Sequence, residues 1–402
     1  MKLFVKIGLL AIVLQVLCIG CWDQRDSNNM AIITVLGFDR ITDEDGTDKW
    51  QISAFLMPSG AGDGTVSGSG GGGGEKPAKE EIVWRGKGLT ISEAIQDFTK
   101  RSPRDSFFAD ANSVIIGERA AKEDLLTIID YLNRLREQRP GSFIMVTKGN
   151  ASRLFEAEPE AEISVSRDLK ELAQGTARST GIAEGVKLMN FTTNLLSTDR
   201  DPVAPEVRLI TPQEKRGEEP AGPPKALLVE GLGVFKDAKL VGWLNKEETM
   251  GYNLITEKIT AGNVIIRVKR NDKWFGFLVQ KSKPKIKTTL IDNKLNVNVT
   301  LEVKGSVAED NGIDLSPGEI DQVEQAISEQ IEQIVMNTIE TVRGYESDCL
   351  GFSEDLHRYS PKDWKEIKSH WRETFVDANV DVQVKASIEN TGRLGQRLEL
   401  KK

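Results

Sequence analysis

Cysteine and histidine are nearly missing from this chain of 402 residues, which has three cysteines and two histidines. Cys18 and Cys21 close an N-terminal apolar run, so Cys349 has no partner once that segment is processed, and an intrachain disulfide framework is excluded. Cys349 reads instead as a small buried hydrophobe. His357 and His370 lie thirteen apart with no cysteine or carboxylate at metal-ligand spacing, which argues against a zinc site. His357 reads as a surface residue before a helix, and His370 as a rim or core residue on an amphipathic one. Positive charge is also short: 53 Lys and Arg face 61 Asp and Glu. That balance excludes the clustered basic footprint of a nucleic-acid binder and argues against a polybasic hold on anionic lipid. No Gly-x-Ser-x-Gly elbow and no Cys–His pair is present, so nucleophilic catalysis has no visible constellation. Carboxylate pairs such as Glu80/Glu81 or Asp199/Asp201 are too common in an acidic chain to mark an enzyme. Beyond residue 20 no stretch is apolar enough to cross a bilayer.

What is present is concentrated first at the N-terminus. Lys2 and Lys6 form a positive start, and Ile7 to Ile19 is apolar apart from Gly8 and Gln15. The run is about 13 residues, too short to span ~30 Å of hydrocarbon. It ends in Cys18-Ile-Gly20-Cys21, followed at once by polar chain. This is the pattern of a bacterial lipoprotein signal over residues 1–20, with Cys21 as the lipidated first residue of the mature protein. Cys21 would carry a diacylglycerol and an N-acyl lipid, and no other cofactor is expected. Loss of Lys2 and Lys6 leaves 51 basic against 61 acidic residues, a net charge of −10. The expected location is the outer face of the cytoplasmic membrane.

Further on, the pattern is that of a mixed α+β protein in three sheet-and-helix modules. An N-terminal domain is expected over 22–210. Its strands Ala31–Gly37 and Trp50–Leu56 flank a turn at Asp43–Gly46. Residues 59–74, SGAGDGTVSGSGGGGG, offer almost nothing to bury and read as a flexible loop. Gly68, Gly70 and Gly73 formally fit a dinucleotide-binding fingerprint, but Glu75-Lys-Pro77 follows instead of an apolar helix start, so that reading fails. Thr90-Ile-Ser-Glu93 is a capping box, and a helix is expected over Lys122–Arg136. Residues 211–224, rich in Pro, Gly and charge, read as a linker. A small middle module over 225–280 contains a hairpin about Lys236–Ala238 and a helix over Glu247–Ile255. In the C-terminal domain, 281–402, Leu295, Val297, Val299, Leu301 and Val303 alternate with polar residues, and Val380 to Ile388 repeats the pattern. Each predicts a strand with one dry face, hence an antiparallel sheet covered on one side by helices. Between them a capping box at Ser316–Glu319 opens an isoleucine-striped helix, with Gly344 as its C′ residue. A second helix starts at Ser360-Pro361 and carries Trp364, Ile367, Trp371 and Phe375.

Four stretches together carry a family resemblance. They are Cys21-Trp-Asp-Gln-Arg25; Gly231-Leu-Gly-Val-Phe-Lys-Asp237; Leu240-Val-Gly-Trp-Leu244 with Glu247-Glu-Thr249 and Gly251; and Asp348-Cys-Leu-Gly-Phe352 followed by Pro361, Trp364 and Trp371. In this order and spacing the chain resembles the Ger(x)C lipoproteins, the C subunits of nutrient germinant receptors in endospore-forming bacteria. The resemblance implies a non-enzymatic subunit that works beside two integral-membrane subunits, one with a large soluble domain and one transporter-like, in the spore inner membrane. It carries over Cys21 as the lipidation site and no ligand-binding residue. Gly231, Gly233, Gly242 and Gly251 would serve turns or close packing, and Trp243, Trp364 and Trp371 would fill cores. The competing expectation is a solute-binding lipoprotein that captures a small nutrient directly.

Overall fold

A computed structural model describes residues 30–57, 81–135, 137–159, 164–211, 225–257, 259, 264–292, 294–309, 312–316 and 318–390. The signal segment, Cys21, the glycine-rich stretch 59–74 and all of the expected linker except Thr211 lie outside the described residues.

The first half of the chain runs β1 (Met30–Thr42), β2 (Asp48–Leu56), β3 (Ile82–Gly88), α1 (Ile91–Thr99), β4 (Asp105–Phe107), β5 (Ser113–Gly117), α2 (Glu118–Glu123), α3 (Leu125–Arg134), β6 (Phe143–Thr147), a 3-10 turn (Ala151–Glu156), α4 (Val165–Thr180), α5 (Leu188–Leu196), β7 (Val203–Ile210), β8 (Ala226–Lys236) and β9 (Lys239–Leu244). These strands form one sheet in the order β3-β2-β1-β5-β6-β7-β8-β9, with β4 added beside β1. Its centre is parallel, β1 against β5 and β5 against β6, and every residue of β5 and β6 is buried. Such strands are dry on both faces, so they read as short continuous apolar runs. One face packs under α1, α2, α3 and α5; the other lies under the 3-10 turn and α4, where Phe55 stacks on Phe155 with ring centroids 4.6 Å apart.

The second half continues α6 (Lys246–Ile255), β10 (Val264–Arg270), β11 (Lys273–Ile291), β12 (Lys294–Glu309), α7 (Ile320–Gly344), α8 (Phe352–Tyr359), α9 (Pro361–Ile367), α10 (Trp371–Val376) and β13 (Asn379–Asn390). A second sheet has the order β10-β11-β12-β13. The alternation at 295–303 is observed: Leu295, Val297, Val299, Leu301 and Val303 are buried and the residues between them are not. β10, β11 and β12 pair antiparallel, whereas β13 lies parallel to β12. The four helices between them form a crossover that returns the chain in its original direction, as parallel pairing requires. α7 covers the dry face with Val323, Ile327, Ile331, Ile334, Val335, Thr338, Ile339 and Val342.

Residues of 225–280 are shared out. β8 and β9 complete the first sheet, and β10 opens the second. A single apolar core runs continuously from Ile33 in β1 to Ala386 in β13.

Several local expectations are corrected. The helix expected over 122–136 is two, because Asp124 leaves helical geometry between α2 and α3 (φ −134°, ψ 23°). The Ser316–Glu319 box does not close: α7 starts at Ile320 with no side-chain cap, and Glu319 N–H donates to the Ser316 carbonyl in a turn. Gly344 is still helical, and Glu346 takes the left-handed conformation instead (φ +53°). The box at Thr90 and Glu93 is present in full, with Glu93 N–H donating to Thr90 Oγ1 at 3.1 Å.

Candidate functional site at the junction of the two sheets

The motif Asp348-Cys-Leu-Gly-Phe352 lies in the loop between α7 and α8, where the second sheet's helices meet the strand entering β7. Asp348 is buried and works as a cap for α8. One carboxylate oxygen accepts the N–H groups of Gly351 at 2.9 Å and Phe352 at 3.0 Å; the other accepts the N–H and hydroxyl of Ser353, both at 2.7 Å. These donors are the orphan amides of a helix start, which favour a carboxylate. Burial pushes the Asp348 carboxyl above its ordinary range, and the Ser353 and Phe352 donors oppose that shift.

The same loop is latched to the first sheet by a reciprocal pair of hydrogen bonds between Asp348 and Asp201. Asp348 N–H donates to the Asp201 carboxylate at 2.8 Å, and Asp201 N–H donates to the Asp348 carbonyl at 3.1 Å. Asp201, itself buried, is gripped by both terminal nitrogens of Arg372 from α10. Arg372 Nη1 also donates to the Glu346 carbonyl at 3.1 Å. A bidentate guanidinium on a carboxylate fixes orientation as well as distance. Arg200 donates to the Leu350 carbonyl at 2.9 Å, and the single Ser353 hydroxyl proton is shared between Asp348 and the Asp199 carbonyl, 2.5 Å away. Gly351 is left-handed (φ +83°), and a Cβ there would fall 2.2 Å from the Arg200 guanidinium, so only glycine suits. Below this joint Trp364 and Trp371 pack edge to face at 5.3 Å, and Trp371 stacks on Phe375 at 6.1 Å. Cys349 is fully buried and burial pushes its thiol well up, so it is packing and not a nucleophile.

Two grooves flank the joint. One, of about 420 Å³, is lined by Thr193, Ser197, Asp199, Arg200, Glu354 and His357. The other, of about 770 Å³, runs between α8 and the free edge of β11, past Lys285, Lys287, Glu354, Asp355 and Arg358. Asp355 covers that edge by accepting both the N–H and the hydroxyl of Thr288 at 2.8 Å.

Asp199 and Asp201 therefore do not act as a pair. Asp201 holds Arg372, while Asp199 faces His357 Nδ1 at 2.9 Å. His357 lies inside α8, not before it, and His370 is exposed on a short 3-10 turn, neither rim nor core. Glu81 anchors the start of α4 by accepting the Ser166 N–H at 3.2 Å. Arg200, Ser353 and Arg372 were not legible as functional residues. The sequence signal available was Asp348 three residues before Gly351 at a helix start, which marks a cap but names no distant partner.

Residues 23–209 match the family described as "Spore germination protein N-terminal domain", and residues 230–392 match "Spore germination B3/ GerAC like, C-terminal". The chain belongs to the Ger(x)C family of spore germination proteins. It is 26% identical over 386 residues to "Spore germination protein KC" of Bacillus subtilis (strain 168), covering 93% of this chain and 92% of that one. It is 23% identical over 412 residues to "Spore germination protein B3" of the same organism, covering 98% and 100%. "Spore germination protein GerQC" of Bacillus cereus is 20% identical over 378 residues, covering 91% and 95%. The crystal structure of the GerBC protein shares the fold, with a TM-score of 0.56 at 17% identity over 89% of this chain and 98% of that one.

The Ger(x)C motif residues of this chain sit at close approaches. A Cβ on Gly242 would lie 2.2 Å from the Tyr345 ring, and one on Gly251 would lie 2.1 Å from Thr338 Oγ1, where α6 crosses α7. Trp364 and Trp371 are buried, and Trp243 is half-buried beneath the Lys148 ammonium. The motif around Gly242 and Gly251 and the motif around Asp348 thus contribute to the seam that joins the two sheets.

Proposed function

We propose that this chain is the lipid-anchored, non-catalytic subunit of a nutrient germinant receptor, required for germination through assembly with integral-membrane subunits. The observation that carries the reading is the family match over nearly the whole chain, joined to the Gly20-Cys21 signal at its start. A diacylglycerol and an N-acyl chain on Cys21 would hold it durably, since two acyl chains anchor where one does so marginally. Eight residues lie between Cys21 and Met30, so the tether would keep the start of β1 within ~30 Å of the bilayer. The buried charges at the seam are engaged in holding two sheets as one body, which suits a scaffold. The expected partners are one membrane subunit with a large soluble domain and one transporter-like subunit, in the spore inner membrane.

The test is palmitate labelling and affinity capture from spore membranes. Labelled mature protein that is lost to the aqueous fraction in Cys21→Ala, with two membrane subunits co-purifying from the wild type, is the expected result. An unlabelled, freely soluble wild-type chain without membrane partners overturns the reading.

The groove beside α8 favours a second reading, direct capture of a small nutrient. It is lined by Arg358, paired with Glu354 at 2.6 Å, and by Lys287 and Asp355, so a zwitterion would bind by exchanging its charges with that pair. Calorimetry of residues 22–402 with amino acids discriminates: saturable heat that vanishes in Arg358→Ala supports capture, and its absence leaves the scaffold reading alone.

A further inference from the structure

The dry face of the second sheet is covered by α7, and its other face carries a charge opposite to that of the chain. Along β11, Lys281, Lys283, Lys285 and Lys287 alternate with inward residues and are all exposed. At ~3.3 Å per residue this row is about 20 Å long. Arg267 and Lys269 continue it on β10, Lys304 on β12 and Lys385 on β13. The acidic residues on or beside the face are Glu247, Asp272, Glu302, Glu309, Asp381 and Glu389, and Glu354 and Asp355 border it in the groove beside Lys285 and Lys287. Glu302 lies 3.8 Å from Lys285, Glu389 lies 2.6 Å from Lys304, Asp272 lies 3.1 Å from Lys269, and Glu247 lies 3.9 Å from Arg267. Among the described residues no ion pair engages Lys281, Lys283, Lys287 or Lys385. At one end, Trp274 is 48% exposed and Ile265 55% exposed, and the Arg267 guanidinium sits 5.2 Å from the Trp274 ring centre.

We infer that this open face is a docking surface for an anionic phospholipid bilayer. A chain of net charge −8 gathers uncompensated lysines on one broad sheet face, where a plane of phosphates would meet them together. Long lysine stems reach past the backbone to headgroup depth, and an exposed tryptophan beside an isoleucine is the amphipathic contact that interfaces favour. The groove that borders the face beside Lys285 and Lys287 also carries Glu354 and Asp355, which would repel a nucleic-acid strand. The inference does not depend on lipidation of Cys21, and it would orient the seam and its grooves relative to the membrane.

The experiment is co-sedimentation of the polypeptide without its anchor cysteine, residues 22–402, which keeps every described residue, with vesicles of pure phosphatidylcholine or of phosphatidylcholine with 30% phosphatidylglycerol. Binding is expected only to the anionic vesicles, and to weaken steeply between low and high salt. Lys281→Gln, Lys283→Gln, Lys287→Gln and Lys385→Gln combined are expected to weaken it by more than a hundredfold, at about fivefold per lysine. Trp274→Ala is expected to weaken it severalfold. A control with Lys100, Lys239, Lys362 and Lys365 changed to Gln carries the same net charge and is expected to bind within twofold of wild type. Equal binding to neutral vesicles, equal loss in the control, or no loss in a face variant whose thermal melt is unchanged overturns the inference. So does binding of poly-glutamate as tight as that of vesicles and indifferent to Trp274→Ala, which would assign the face to an acidic protein.

Discussion

At the residue scale, carboxylates in this protein do two kinds of structural work, and solvent separates them. Asp348 and Asp39 are buried and cap backbone starts; Asp39 accepts the Ala151 and Ser152 N–H groups at 2.7 and 2.8 Å. Asp43 instead lies in the exposed β1–β2 turn, where hydrogen bonds from Lys49 and Lys87, each at 2.9 Å, lower its pKa from 3.8 to about 2. Because the folded value lies below the unfolded one, its contribution is present above about pH 3.8 and is lost as pH falls toward 2. Asp43→Asn is therefore expected to lower the urea midpoint at pH 7 and to leave it near wild type at pH 2. A gap that stays constant over that range would contradict the assignment. The acidic turn was legible in the sequence as a turn, but its lysine partners were not, since Lys87 comes from β3, 44 residues away.

At the element scale, the hairpin expected about Lys236–Ala238 forms, with Lys236 opposite Lys239. Its two loop residues, Asp237 and Ala238, both take positive φ, 48° and 60°. This is the turn that matches the right-handed twist of strands and normally calls for Asn-Gly. Ala238 carries a Cβ into left-handed geometry, which costs about 1–2 kcal/mol. Ala238→Gly is expected to stabilise the protein by about 0.5–1 kcal/mol after the larger entropy loss of glycine, read as a higher denaturant midpoint at unchanged m-value. The strands at 295–303 and 380–388 were legible because a two-residue period survives any tertiary context. The parallel return of β13 was not, because strand direction depends on how the intervening helices pack. The failed cap at Ser316 has a similar cause: Asp314 takes the Ser316 N–H at 2.9 Å and sets a turn before the helix can begin.

At the scale of the whole molecule, the two family-matched regions share one core and one charged seam. The Asp348–Asp201 contact joins residues 147 apart, and Arg372–Asp201 joins residues 171 apart. Asp348→Ala would orphan the buried amides at the start of α8 and is expected to cost about 3 kcal/mol. Because the core is continuous, that loss is expected to move the unfolding of both sheets together. Near-ultraviolet dichroism, to which buried Trp50 of the first sheet and Trp364 and Trp371 beside the second contribute, and far-ultraviolet dichroism should shift by the same amount in one transition. Two separated transitions would show that the seam does not couple the sheets.

The sequence by itself determined the family, the two dry-faced strands, the isoleucine helix and the burial of Cys349, because hydrophobic period, residue volume and ordered short motifs are properties of neighbours along the chain. Only the tertiary structure decided that the middle segment is divided between two sheets and that Asp201, Asp348 and Arg372 meet. It alone also shows the lysines of an acidic chain gathered on one open face. Charge balance averages over the entire surface, whereas a sheet sorts side chains by face and brings distant strands within a few ångströms.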